Sequence, residues 1–229
     1  MALTKVRGNA VDGGTISTET AGTNNLILGS TAGDSIASGG NYNVCIGDEA
    51  GTALTTGDNN VAIGFEALNT EDTQGHSVAV GYQALKTQNS SATSENTAVG
   101  YKAGTALTTG VESVFVGYEA GEALTIGTNN TLIGGEAGKA MVGDNNNVAV
   151  GWGALKVQTN SSSTATNNTA VGYGAGASVT TGTKNTLVGL AAGDAITTGG
   201  YNSALGVNAL TNLTEGDQNV ATVRGGETL

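Results

Sequence analysis

Along this chain a short apolar triplet keeps returning, with an Asn or Ser ahead of it and a Gly behind it. The Gly positions are Gly29, Gly47, Gly64, Gly81, Gly100, Gly117, Gly134, Gly151, Gly172, Gly189 and Gly206, separated by 18, 17, 17, 19, 17, 17, 17, 21, 17 and 17 residues. A further copy, Asn219-Val220-Ala221-Thr222, keeps the register and places Val223 at the Gly position. With the Gly as position 0, position −4 is Asn or Ser in every copy, from Asn25 and Asn43 through Ser77 and Ser113 to Asn219. Position +3 is Ala wherever the Gly is present, from Ala32 to Ala209. Many copies close on a segment such as Ala53-Leu54-Thr55-Thr56-Gly57. Runs of three or four residues rich in Val and Ile, bounded by Gly and Asn, predict short strands joined by turns.

Internal repeats of this length exclude helical arrays, whose units run to about 33 residues or more. Seventeen residues suit one coil of a β-solenoid. Stacked coils pair backbone to backbone at about 4.8 Å, so twelve give a rod of roughly 55–60 Å. The predicted fold is all-β, a parallel β-solenoid of about twelve 17-residue coils over residues 23–224. A polar leader (1–22) precedes it and a short tail (225–229) follows. Within the stack, Asn at a fixed corner predicts a hydrogen-bonded ladder, Gly supplies positive φ, and Ala marks a tight inner position.

Alternation along a strand puts positions −3 and −1 on one face and −2 on the other. We read −3 and −1, mostly Val and Ile, as the coil interior. Position −2 then points outward, yet it is apolar in every copy: Ile27, Cys45, Ala62, Ala79, Ala98, Phe115, Leu132, Ala149, Ala170, Leu187, Ala204 and Ala221. Strands apolar on both faces are buried on both. A long uncovered apolar stripe marks an association surface. The expectation is a seam between identical chains, a homotrimer, centred on Ala62, Ala79, Ala98, Phe115, Leu132, Ala149, Ala170 and Leu187.

Composition narrows the picture. Of 229 residues 38 are Gly and none is Pro; 4% are aromatic and 12% charged. The net charge of −11, with 8 scattered basic residues, provides no basic patch for nucleic acid or anionic lipid. No apolar run is long enough to span a membrane. Met1 to Asn9 lack the apolar core of a secretory signal, so export by that route is not expected. Cys45, the one cysteine, precludes an internal disulfide framework and reads as a small hydrophobe.

Candidate chemistry is sparse. Aromatic residues follow the Gly at Phe65, Tyr82, Tyr101, Tyr118, Trp152 and Tyr173. The last five are the candidates for contact with a host-surface glycan or receptor; the competing reading is a ladder that covers a turn or packs between chains. Two coils carry longer loops, 86–96 and 156–167, which read as tolerated insertions or as contact loops on a rigid scaffold. Thr55-Thr56, Thr108-Thr109, Thr180-Thr181 and Thr197-Thr198 suggest a threonine array for ice, but adjacent threonines in a strand face opposite ways. His76 has no nucleophile or carboxylate arranged around it, so no triad is formed. Glu71-Asp72 reads as a pair of solvated turn residues rather than a glycosidase pair; Asp58, Asp144 and Asp217 flank glycines at turns and lack the calcium-binding nonapeptide, so no calcium ladder is expected. No enzyme activity, cofactor or metal site is expected.

The unit Asn59-Asn60-Val61-Ala62-Ile63-Gly64, with Ala67 three residues on, resembles the head repeat of trimeric autotransporter adhesins. Those heads are left-handed parallel β-rolls that assemble as trimers, with a coil a few residues shorter. The longer unit Val78-Ala79-Val80-Gly81-Tyr82-Gln83-Ala84-Leu85 resembles repeats of phage tail-fibre proteins, many of which continue into a C-terminal chaperone domain. The opening Ala2-Leu3-Thr4-Lys5-Val6 and Gly13-Gly14-Thr15-Ile16-Ser17-Thr18 is similar to the start of such fibres. The repeat resemblance covers residues 22–224. It implies a structural or adhesive fibre in a virion or a cell-surface appendage, partnered by copies of itself. A bacterial adhesin head is the alternative, and an ice- or glycan-binding solenoid a further one.

Overall fold

The computed structural model describes residues 16–17, 20–91, 93–160 and 163–223. Most of the predicted leader and the whole of the tail, 225–229, lie outside the described residues. The chain is all-β, a parallel β-solenoid of about eleven turns at 17-residue spacing. Among the described residues there is no helix, and so none long and apolar enough to cross a membrane.

One strand recurs at every coil: β2 (Leu26–Leu28), β3 (Val44–Ile46), β4 (Val61–Ile63), β5 (Val78–Val80), β6 (Thr97–Val99), β7 (Val114–Val116), β8 (Thr131–Ile133), β10 (Val148–Val150), β12 (Thr169–Val171), β13 (Thr186–Val188), β14 (Ser203–Leu205) and β15 (Val220–Thr222). Each pairs in parallel with the next coil, like on like, as Ala62 on Ala79 and Phe115 on Leu132. Ahead of them, β1 (Ile16–Ser17), within the predicted leader, adds an antiparallel strand against β2. A second, two-stranded sheet joins β9 (Asp144–Asn145) to β11 (Thr164–Ala165), where the later long loop lies back on the preceding coil.

The marker glycine turns the chain out of the strand. At Gly117 φ is +134°, and a Cβ there would sit 2.6 Å from the carbonyl carbon and oxygen of Gly134 in the next coil. A side chain is excluded both by backbone conformation and by the neighbouring coil.

The predicted asparagine ladder is present, with a fuller role than expected. The Oδ1 of each Asn accepts the backbone N–H of its counterpart one coil on, as in Asn60 to Asn43 (2.9 Å), Asn147 to Asn130 (3.0 Å) and Asn202 to Asn185 (3.0 Å). The Nδ2 donates to a carbonyl across the coil, as Asn43 to Gly57 and Asn185 to Gly199. Ser113 substitutes its hydroxyl, which accepts from Asn130 N. Left-handed backbone falls one residue earlier, at Asn24, Tyr42, Asn59 and their counterparts.

The two faces of the strand are the reverse of the sequence expectation. Position −2 lines the interior: Ala62, Ala79, Ala98, Phe115, Leu132, Ala149, Ala170 and Leu187 are all 0% exposed within a single chain. They therefore cannot form a seam between chains. The flanking Val and Ile project outward, half-buried or exposed. The reason is the narrowness of the coil. Its interior consists of three columns, −2, +3 and +7, as in Cys45, Ala50, Leu54 or Leu187, Ala192, Ile196. Volume at −2 is exchanged against position +4. Where −2 is large, +4 is Gly, as in Phe115 with Gly121, where a Cβ would lie 2.6 Å from the Phe115 ring. Where −2 is Ala, +4 is often Leu, as in Ala62 with Leu68, Ala79 with Leu85 and Ala149 with Leu155, all fully buried. Interiors are close-packed, so a residue added at one column is subtracted at another.

Candidate functional surfaces

Three surfaces of the coil could carry function: the outward strand face, the turn that follows it, and the bases of the long loops. The outward face is the largest. Its columns read Val44 and Ile46, Val61 and Ile63, Val78 and Val80, Val114 and Val116, Thr131 and Ile133, Val148 and Val150, continuing to β15. Extended backbone favours β-branched residues, which stand nearly perpendicular to the sheet. The outcome is a flat apolar strip with Leu26, Val99, Ile133 and Leu205 exposed. The apolar character of both strand faces, noted in the sequence, thus remains, with the uncovered face exchanged.

Past the glycine corner the predicted aromatics form a ladder. Phe65, Tyr82, Tyr101 and Tyr118 stack coil on coil, with ring centroids 5.5, 5.2 and 5.3 Å apart. Trp152 and Tyr173 form a second stack at 5.0 Å. Both stacks project into solvent, yet each inner ring has its faces against its neighbours and presents only its edge. Sugars stack on ring faces, so the free faces at the ends of the stacks are where such contact has room. Tyr42 and Tyr201 occupy the opposite end of the strand, and the Lys184 ammonium lies 4.7 Å from the Tyr201 ring centre.

Beside the rings runs a line of ion pairs joining adjacent coils. Lys86 meets Glu66 at 2.7 Å and Lys156 meets Glu136 at 2.7 Å. Lys139 sits among Glu119, Glu122 and Glu136, and Lys102 reaches Glu122 at 3.4 Å. The Lys86 and Gln83 donors hold the Glu66 carboxyl below the ordinary carboxylate range; Lys139 does the same for Glu119 and Lys156 for Glu136. Glu119 in turn pushes the Tyr118 phenol up.

The long loops are rooted in buried polar clusters that sequence reasoning missed. Glu71, read as a solvated turn residue, is 0% exposed because it occupies the +7 core column. Its carboxylate accepts from Gln88 Nε2 (2.7 Å), Ser94 Oγ (3.3 Å) and Gln74 N (3.3 Å). Burial pushes its carboxyl up. Gln88 also donates to Ser77, whose hydroxyl stands where other coils have Asn, and accepts from Asn96. The second loop repeats the device: Gln158 and Asn160 donate to buried Asp144, and Asn168 donates to Gln158. Asp144, placed by the sequence at a glycine turn, is likewise a buried anchor. Asp58 and Asp217 accept backbone N–H groups of Asn41 and Gly200 at 2.6 Å, tying turns of adjacent coils. A Gln or Glu at +7, where most coils have an apolar residue, was the available signal.

The remaining candidates are local. In the threonine pairs the first hydroxyl donates to a carbonyl of the next coil, as Thr108 to Thr125 and Thr180 to Thr197, so it is not free to order water. Cys45 is buried in the −2 column, and burial pushes its thiol up to about 12, well outside the reactive range. His76 takes the left-handed corner position and donates its N–H to Asp58 O. Among the described residues no three His, Cys, Asp or Glu side chains gather as a metal site. Comparison with family models, with curated proteins and with solved structures gives no match.

Proposed function

We propose that this chain is the shaft of a structural or adhesive fibre, of the phage tail-fibre or surface-appendage kind, and that three copies associate side by side through the outward strand face. The observation that carries this reading is the outward −1 column, which is Val, Ile or Leu at every coil from Leu28 to Leu205 and half-buried or exposed in the single chain. Flat strips of this kind are interaction surfaces rather than solvent surfaces. The fixed 17-residue spacing places the same side chains at the same height on every copy, so copies in axial register match along their whole length. The resemblance to fibre and adhesin repeats supports the same conclusion.

The test is the mass of the purified protein by light scattering, with Val116→Glu and Ile63→Glu as interface variants. Both positions lie on the outward face, so the coil should fold in either variant. The expected result is three times 22.4 kDa for the native chain and a lower mass for the variants. A native monomer, unaffected by either charge, overturns the assembly. The outward column that includes Thr97, Thr131, Thr169 and Thr186 gives a second reading, ordered water on an ice surface, which thermal hysteresis of that monomer would test.

A further inference from the structure

The ring ladder is interrupted at one coil, and the interruption has the features of a binding site. Every coil from Phe65 to Tyr173 places a ring after the marker glycine except one, which has Gly135. Adjacent rings in the ladder are 5.0–5.5 Å apart. Tyr118 and Trp152 are two coils apart, so their stations are separated by roughly 10 Å, twice the strand spacing. The Trp152 indole leans into part of this interval over Gly135, and the space that remains is a slot between the indole and the bare face of Tyr118. Tyr118 is stacked by Tyr101 on one side only, and it is 54% exposed against 41% and 42% for Tyr82 and Tyr101. Its bare face looks toward the Gly135 coil.

The other wall is Trp152. Tyr173 covers one face of the indole, and its Cδ1 edge leans over Gly135, 3.1 Å from where a Cβ would be. Polar groups border the same space. The Lys156 ammonium is 5.2 Å from the indole centre and is held by Glu136, in the Gly135 coil, at 2.7 Å. Glu119, bonded to Lys139, stands beside Tyr118. The charges in this rim are paired, which disfavours a strongly charged ligand. Two aromatic walls with donors and acceptors at the rim suit a ring that is apolar on its faces and hydroxylated around its edge.

We propose that the gap over Gly135, between Tyr118 and Trp152, binds one neutral pyranose ring of a glycan. This rests on no assumption about self-association, and the mass measurement above tests that separately. Trp152 is the only tryptophan of the chain, so its fluorescence reports on this gap alone. The experiment titrates the full-length protein with neutral methyl pyranosides and neutral oligosaccharides of glucose, galactose, mannose and N-acetylhexosamines. It is repeated on Gly135→Tyr, which fills the gap with the residue used at neighbouring coils, and on Tyr118→Ala. Circular dichroism and mass check that both variants keep the fold and assembly.

The expected result is a saturable change in Trp152 emission with at least one neutral saccharide. Affinity should fall at least fivefold in Tyr118→Ala and be lost in Gly135→Tyr. The proposal is overturned if no neutral saccharide gives a saturable change, if only charged saccharides do, or if the folded Gly135→Tyr variant binds like the native chain.

Discussion

At the scale of single residues, the coil is specified by a few side chains with one geometric task each. Asn at −4 answers a backbone donor one coil away and a carbonyl across its own coil, which explains why only Ser replaces it. Glu71 is the exception that makes a measurable difference. Its carboxyl is buried among Gln88, Ser94 and the Gln74 amide, with Asp72 adjacent and no cation bonded to it among the described residues. Burial raises its pKa, so the folded chain holds a proton there over a range where the unfolded chain has released it. The stabilising contribution is therefore full below the ordinary Glu range and is lost as pH rises through the raised value. Replacing Glu71 by Gln removes this dependence. The melting temperature of Glu71→Gln relative to the native chain should be higher at about pH 8 than at about pH 4, as thermal scans at the two values would show. A difference that does not change with pH would mean Glu71 is not buried in its charged form.

At the scale of the coil, packing is governed by exchange between columns, and this is where the sequence was both most and least legible. The register, the Asn corner, the Gly turn and the Ala at +3 are readable because the same requirement recurs at every coil. Which strand face turns inward was misread because Val and Ile outrank Ala in hydrophobicity, so the larger residues were placed inside. The coil has little room opposite the strand and takes the smaller column. The signal lay in paired positions rather than in any single one: Phe115 with Gly121, Leu132 with Gly138, but Ala79 with Leu85. It follows that Phe115→Ala should cost about 3–5 kcal/mol. Gly121→Leu alone should also destabilise, since its Cβ would meet the Phe115 ring. The double variant recreates the Ala–Leu pairing of other coils, at a backbone φ of +60° close to the +50° of Leu68. It should be more stable than either single change, which a double-mutant cycle by chemical denaturation measures. The bases of the loops were not legible, because Glu71 and Gln158 look like surface residues until the +7 column is known to be interior.

At the scale of the molecule, the rod is a one-dimensional stack in which each coil is stabilised mainly by the two beside it. Central coils have neighbours on both sides. Among the described residues β15 pairs only with β14, and Val220 is 80% exposed. Amide hydrogen exchange should therefore be slowest in β5 to β10 and fastest in β15. Uniform protection along the chain would mean that the array opens as a single unit. The apolar outward strip belongs to this scale as well, because no single coil exposes much and only their sum gives a continuous surface.

The asparagine ladder also makes the rod a ruler. Every coil with Asn at −4 offers the next the same acceptor and the same carbonyls, so at this corner the backbone does not distinguish its original neighbour from any other. Loss or duplication of one 17-residue unit between equivalent corners, away from the long loops, leaves the backbone and asparagine contacts of both junctions as they were. The length then changes by one step of about 4.8 Å. A lineage carrying such a gene can adjust its reach in fixed increments by recombination between repeats, without redesigning the asparagine ladder.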